Sequence, residues 1–292
     1  MNLSIIIVNW NTKNLLEKCL ESVYKETKDL DFEVFVVDNG SKDGSSEMVE
    51  KKFPQVNLIK NRFNVGFAKA NNQAIRKSRG EYILLLNPDT IILGNTLKKM
   101  VDFLENHPQV GILGPKIINP DGSLQPSSRT FPTLMSQILI LLKLHNFFPW
   151  LPPIKKYYML NWDHSETREV DQVMGSCFMI RKKLIDKIGL LDENYWIWFE
   201  EVDFCKRAKI AGWEIWFLSD VSIIHHKARA FEQVSPIKKQ IQLDRSMLRY
   251  FKKFHSKPAY FILLSLCPLS IFLASLVQLI SKFKLIKKKK YL

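Results

Sequence analysis

The chain has 292 residues, 46% apolar and 25% charged, with 11 Gly and 13 Pro, a composition that excludes collagenous, low-complexity and disordered classes. Thirteen Lys and Arg against one acid fall in residues 238–292, so twelve of the fourteen net positive charges lie in the tail. A nearly neutral body excludes a nucleic-acid groove over the whole surface, and the basic tail suits an anionic membrane face. Cys19, Cys177, Cys205 and Cys267 are far apart with no C-x-x-C pair, so neither a disulfide framework nor a structural zinc is indicated, and a reducing cytosol is the simplest compartment.

In chain order, the apolar run Leu3 to Val8 predicts a strand. It lacks a basic n-region and ends at Asn9, too soon for a signal peptide, so the domain is expected to stay on the side where it is made. Leu15, Leu16, Cys19, Leu20 and Val23 then recur at helical spacing. Strands are predicted at Phe32 to Val37, Val56 to Ile59, Tyr82 to Leu86 and Val110 to Leu113, with helices at about Gly66 to Lys77 and Thr96 to Glu105 between them. The alternation is a βαβα series, hence an α/β fold with a mostly parallel sheet flanked by helices. Gly175 to Ile180 reads as a strand entered from a Gly-Ser turn, Phe199 to Ala211 as a helix opened by acids, and Val221 to Ile224 as a last strand.

Ligands of such sheets bind beyond the carboxyl ends of the strands. Those ends are polar here: Asn9-Trp10-Asn11, Asp38-Asn39-Gly40-Ser41 and Asn87-Pro88-Asp89-Thr90. One such cluster is ordinarily a turn or a helix cap. Three on one sheet edge point to a site.

With Asn64-Val65-Gly66, Gly175-Ser176-Cys177 and Phe199-Glu200-Glu201-Val202-Asp203 added in this order and spacing, residues 3 to 255 resemble the inverting family 2 glycosyltransferases of GT-A fold, within them the rhamnosyltransferase-like branch that builds bacterial surface polysaccharides. The resemblance implies a metal-assisted direct displacement. A sugar, rhamnose from dTDP-rhamnose or alternatively the sugar of a UDP donor, would pass to a lipid-linked saccharide. By the same resemblance Asn9, Asn11, Asp38, Asn39, Asp43, Asn64, Gly66 and Asn87 would hold the donor, and Gly175, Ser176 and Trp198 the acceptor. Asp89, with His225, would bind Mg²⁺ or Mn²⁺. Asn87 stands where the family's D-x-D motif has its first Asp, so Asp89 must supply the anionic ligand. Glu200 and Glu201 match the family's Glu-Asp pair, with Glu201 as general base. Asp203 is a third carboxylate, for which Arg207 offers an ion pair one turn on. Successive helical residues point ~100° apart, so only one glutamate is expected to face the donor. Asp121, Arg129, Asp163 and His164 stand outside any motif.

Residues 1–235 are expected to form the transferase domain, with the nucleotide-sugar half at about 1–115 and the acceptor half at about 116–235. Residues 236–292 would form a basic helix and an apolar, membrane-associated tail. Ala259 to Ser281 carries no charge over 23 residues, long enough for the ~20 that a span needs. Lysines on both sides oppose a single span, since both ends would be held cytoplasmic. Pro268 at the middle predicts a broken hairpin or an in-plane helix on the cytoplasmic face. The stretch Leu134 to Leu144 with Phe147-Phe148-Pro149-Trp150-Leu151 is either core or a second interfacial segment. A catalytically dead, basic membrane- or nucleic-acid-binding protein is the alternative from another class; Asp38, Asp89 and Glu201 together disfavour it. The Gly-rich loops of nucleotidyltransferases and Walker-A enzymes are missing.

Overall fold

A computed structural model describes residues 1–226 and 233–289, with side chains to residue 279. In chain order the elements are β1 (Leu3–Asn9), α1 (Lys13–Glu26), β2 (Phe32–Asp38), α2 (Ser45–Lys52), β3 (Asn57–Lys60), α3 (Phe67–Ile75), β4 (Tyr82–Leu86), β5 (Thr90–Ile92), α4 (Thr96–Asn106) and β6 (Val110–Ile118). There follow β7 (Ser128–Arg129), α5 (Leu134–Leu141), α6 (Pro152–Tyr157), β8 (Arg168–Glu169), β9 (Gln172–Val173), β10 (Cys177–Arg181), α7 (Lys182–Ile188), α8 (Glu200–Ile210), β11 (Glu214–His225), α9 (Pro236–Phe254) and α10 (Lys257–Lys289).

Nine strands form one sheet in the order β3-β2-β1-β4-β10-β6-β11-β5, with β8 against β11. Strands β1 to β4 are mutually parallel, and β6 is parallel to β11. β10 runs antiparallel between β4 and β6. It therefore enters where β4 leaves, which sets Gly175-Ser176 beside Asn87. The central strands are buried along their whole length, as their continuous Ile, Val and Leu runs require of a sheet covered on both faces. Leu16, Leu20, Met48, Val49 and Met100 fill one face, and Ala70, Ala74, Leu184, Phe204 and Ala208 the other. Cys19 and Cys177 lie in the first layer and Cys205 in the second.

A third cluster joins the start of α8 to the tail. Tyr195, Phe199 and Val202 pack with Met247, Tyr250 and Phe251 of α9 and with Ala259, Leu263 and Cys267 of α10. Arg249 pairs with Asp192 at 2.8 Å and Lys253 with Asp203 at 2.5 Å, which pins α9 to the body.

Three elements depart from the sequence expectation. β11 begins at Glu214, seven residues before the predicted strand, because a register shift between Leu218 and Ser222 accommodates the polar Ser219-Asp220 that interrupts the apolar pattern. α8 begins at Glu200, since Phe199 has φ 67° and cannot join a right-handed helix. Of the two alternatives at Pro268, the broken hairpin does not occur: α10 is one helix through the proline. Leu263 and Cys267 before the proline, and Ser270 and Ala274 after it, form one buried stripe at helical spacing, and the first of these pack on the α9 cluster. That packing holds both halves on one axis despite the missing N–H.

Candidate active site

A cavity of about 460 Å³ opens at the carboxyl ends of the parallel strands. One wall is made by Val8, Trp10, Asn39, Asn64 and Phe67, its floor by Asn87-Pro88-Asp89, and its far wall by the β7–β9 ribbon and the start of α8.

Register explains the first wall. β1 and β2 pair Asn9 with Asp38, and Asn9 Nδ2 donates to Asp38 Oδ1 at 2.9 Å. The Ser41 N–H donates to Asp38 Oδ2 at 3.1 Å. Asn11, at φ 52°, ties its loop to Ser41 and Lys42. Asp43 accepts from the Lys13 N–H at 2.8 Å and from Ser45, so it fastens the starts of α1 and α2. These four residues lie behind the cavity wall. Asn39 and Asn64 reach it, and Asn39 Nδ2 donates to Asn64 Oδ1 at 2.9 Å. Gly66 has φ +92°, and a Cβ there would stand 2.7 Å from the Trp196 ring. The close approach that demands glycine is thus to Trp196, whose carbonyl also accepts the Phe67 N–H at 2.7 Å.

Antiparallel pairing of β5 with β11 sets Thr90 opposite His225 and brings Asp89 to His225, with Oδ1 3.3 Å from Nε2. Both residues are about 5% exposed. His225 Nδ1 lies 2.7 Å from Gln125 Oε1. The Gln125 amide is oriented because its Nε2 donates to Asn119 Oδ1 at 2.8 Å. Nδ1 is thus engaged by Gln125, and Nε2 is the nitrogen that faces Asp89. A carboxylate and an imidazole nitrogen, with a second residue holding the ring, are ligand types that fit a divalent cation. No group of three or more His, Cys, Asp or Glu that could hold a metal ion occurs among the described residues, so Asp89 and His225 are the two protein ligands that would hold one here.

Across the cavity stand Glu200 and Glu201. Both line it, contrary to the expectation that only one would. Trp198 (φ 60°) and Phe199 (φ 67°) are consecutive left-handed residues, and they turn the chain so that α8 meets the cavity with its N-terminal end. Such backbone costs on the order of 1–3 kcal/mol per residue and persists where packing over-determines it; Phe199 is held 5.6 Å from the Tyr250 ring. Burial raises the Glu200 carboxyl well above the ordinary glutamate range, and the Glu201 charge adds to it. Burial also raises Glu201, but the Arg129 guanidinium pulls it back. Gly175 lies against Glu201: a Cβ on it would be 3.7 Å from the Glu201 Cβ. Asp203 is turned away. It accepts from Arg207 Nε at 2.6 Å and from Lys253 Nζ, and is fully buried.

Five buried polar atoms of the lining have no hydrogen bond among the described residues: Glu200 Oε2, Glu201 Oε2, Ser127 Oγ, Ser176 Oγ and His225 Nε2. Orphaned groups cost roughly 1–3 kcal/mol each, and their convergence on one cavity marks a ligand site. Gln125, Ser127, Arg129 and Leu243 also line it and were not assigned from the sequence, because long-range contacts bring them there: Gln125 to His225, the β7–β9 pairing, and the packing of α9. Trp196 reaches it from the aromatic run before α8.

Raised carboxylates set against an Asp–His pair at the carboxyl edge of an α/β sheet make a polar cavity where folds of this class bind their ligands. The backbone is similar to a mannosyltransferase of Pyrobaculum calidifontis solved with GDP-Man and Mn²⁺, with TM-score 0.56 and 17% identity over 94% of this chain and 73% of that one. That likeness shows the GT-A fold. The glycosyl transferase family 2 profile matches residues 4–189, and the chain belongs to this family of enzymes. N-acetylglucosaminyl-diphospho-decaprenol L-rhamnosyltransferase of Mycobacterium tuberculosis is 30% identical over 239 residues, 78% of this chain and 77% of that enzyme. A hexosyltransferase of low-salt glycan biosynthesis in Haloferax volcanii is 29% identical over 232 residues, 77% of this chain and 67% of its own.

Proposed function

We propose that the enzyme moves rhamnose, with inversion, from dTDP-rhamnose to a lipid-linked saccharide at the membrane surface. The observation that carries the chemistry is the buried Glu200–Glu201 pair facing Asp89 and His225 across one cavity. The mycobacterial relative supports the rhamnosyl donor and the lipid-diphosphate acceptor.

Glu201 acts as the base. The acceptor hydroxyl gives its proton to the Glu201 carboxylate as its oxygen bonds to the anomeric carbon, and the bond from that carbon to the diphosphate breaks with its electron pair going to the diphosphate. Glu200, whose carboxyl is raised further, stays protonated and keeps a second negative charge away from the base. Asp89 and His225 would hold Mg²⁺ or Mn²⁺, which neutralises charge on the leaving diphosphate when bound. Asn39 and Asn64 border the nucleoside end, while Asn9 and Asp38 stiffen the edge behind them.

α10 has a window long and apolar enough to cross a membrane. Its outer face exposes Phe261, Leu264, Leu269, Phe272 and Leu276. Its inner face packs on α9, whose Arg249 and Lys253 pair with the body. Charges cost ~2.5–3.5 kcal/mol each at a bilayer centre, so α9 holds the start of α10 out of the hydrocarbon. The helix lies along the cytoplasmic interface, with exposed Phe147, Phe148 and Trp150 as a second contact.

The reading is tested by presenting dTDP-rhamnose and a panel of UDP-sugars, with and without Mn²⁺, together with a prenyl-diphosphate N-acetylglucosamine acceptor. Rhamnosyl transfer that needs the metal is expected. Transfer only from a UDP-sugar would replace the donor, and undiminished transfer in EDTA would remove the cation.

A further inference from the structure

Arg129 lines the cavity and its charge acts on Glu201, yet no contact to a ligand has been given to it so far. It sits on β7, held opposite Gln172 of β9. Its guanidinium lies over the ring of Tyr158 at 5.1 Å and of Tyr157 at 5.9 Å. The cluster is fastened from behind, since the Thr130 N–H donates to the Tyr157 carbonyl at 3.1 Å. No carboxylate of the described residues forms an ion pair with this arginine. Partly buried arginines ordinarily have such a partner, or bind an anion through their fork of N–H donors.

What stands on either side indicates the anion. Toward the chemistry is Glu201, where the acceptor hydroxyl must come. The tyrosine cluster in turn adjoins an apolar segment: the His145 ring lies 6.4 Å from Tyr158, and α6, which carries Tyr157, follows directly on Phe147, Phe148 and Trp150, 69%, 42% and 60% exposed. An arginine that adjoins both a base and, through its tyrosines, an open aromatic segment has the neighbours that a lipid-linked sugar requires: hydroxyl, sugar ring, diphosphate, hydrocarbon. Asp89 and His225 occupy a different wall from the β7–β9 ribbon, so the donor diphosphate has its own anchor.

We propose that Arg129 binds the diphosphate of the acceptor lipid, with Tyr157 and Tyr158 holding the guanidinium fork in place, so that the enzyme selects acceptors by their anionic linkage as well as by their sugar. This assignment rests on the lipid-linked acceptor of the proposed function.

The test uses the full chain in detergent and farnesyl diphosphate, farnesyl monophosphate and farnesol as probes, titrated calorimetrically in EDTA. The wild type should bind the diphosphate best and farnesol least. Arg129→Gln should lower affinity for the diphosphate by about 10- to 100-fold, the worth of a charge-assisted, bidentate contact, and leave farnesol binding unchanged. Arg129→Lys, which keeps the charge and the stacking stem, should retain an intermediate affinity and guards against misfolding. In the transfer assay Arg129→Gln should raise KM for a prenyl-diphosphate acceptor and not for an octyl glycoside of the same sugar, with KM for the donor unchanged. Equal farnesyl diphosphate affinity in wild type and Arg129→Gln overturns the assignment, as does displacement of the probe by dTDP with Mn²⁺, which would place it in the donor site. If probe binding depends on Arg129 but no nucleotide sugar supports transfer, the proposed function fails and the anion site stands. Transfer from dTDP-rhamnose with probe binding indifferent to Arg129 is the converse.

Discussion

Glu200 and Glu201 share one buried pocket, and their ionisation sets both activity and stability. Because burial raises Glu201 and Arg129 pulls it down, the acid limb of the kcat profile should lie above the ordinary glutamate range. Arg129→Gln should move it to higher pH, since the base then ionises later; a limb that stays or falls would contradict this electrostatic picture. Glu201→Gln should keep donor affinity and lose roughly 10²- to 10⁴-fold in transfer, read by single-turnover assay beside donor titration. Transfer lost in Glu200→Gln but near normal in Glu201→Gln would exchange the two roles. Stability runs the other way. A carboxyl raised in the folded state binds more protons folded than unfolded, so stability falls as pH rises from its unfolded pKa through its folded one. Glu200→Gln should therefore raise the thermal midpoint at neutral pH and flatten its decline with pH. The Asp203–Arg207 pair was legible in the sequence because one turn of helix fixes its spacing. Gln125 and Arg129 were not: each meets its partners across about 30 to 100 residues of chain, through strand pairings too short to show a period.

Among the elements, the strand-and-helix alternation of the first 115 residues was readable because continuous Ile, Val and Leu runs have few alternatives to a covered parallel strand. β7, β8 and β9, two residues each, carry no such pattern, yet β7 and β9 build the cavity wall beside Glu201. At α10 the sequence left a broken hairpin and an in-plane helix open, because a proline's local cost says nothing of the packing that spans it. Asp244, on the buried face of α9, accepts from Gln240 Nε2 at 2.6 Å, and burial pushes its carboxyl up to about 6. Its folded pKa exceeds its unfolded one, so the helical hairpin of α9 and α10 loses stability between about pH 4 and 6 as pH rises. Asp244→Asn should abolish that loss and stabilise the protein at pH 7 by roughly 1–3 kcal/mol, measured by urea unfolding at pH 4 and 7. An unchanged pH dependence would show that Asp244 does not titrate in this range.

For the molecule as a whole, the inner face of α10 belongs to the same core as the site helix, so cutting the chain before Lys257 would bare Tyr250, Phe251 and Met247 and confuse unfolding with release from lipid. Phe261, Leu264 and Phe272 point outward. Replacing these three with Gln should leave the thermal midpoint nearly unchanged and release the protein from anionic vesicles in a flotation assay. Retention of the triple variant would shift the anchor to Phe147, Phe148 and Trp150. The placement of the cysteines has a consequence for following such events in time. All four thiols are buried: Cys19 and Cys177 lie on one face of the sheet, Cys205 on the other and Cys267 between α9 and α10. Alkylation of each requires its own layer to open, so the unmodified chain carries a separate clock in every layer. A mass-resolved labelling course should then reveal whether the tail hairpin detaches before the sheet comes apart, with Cys267 reacting first if it does.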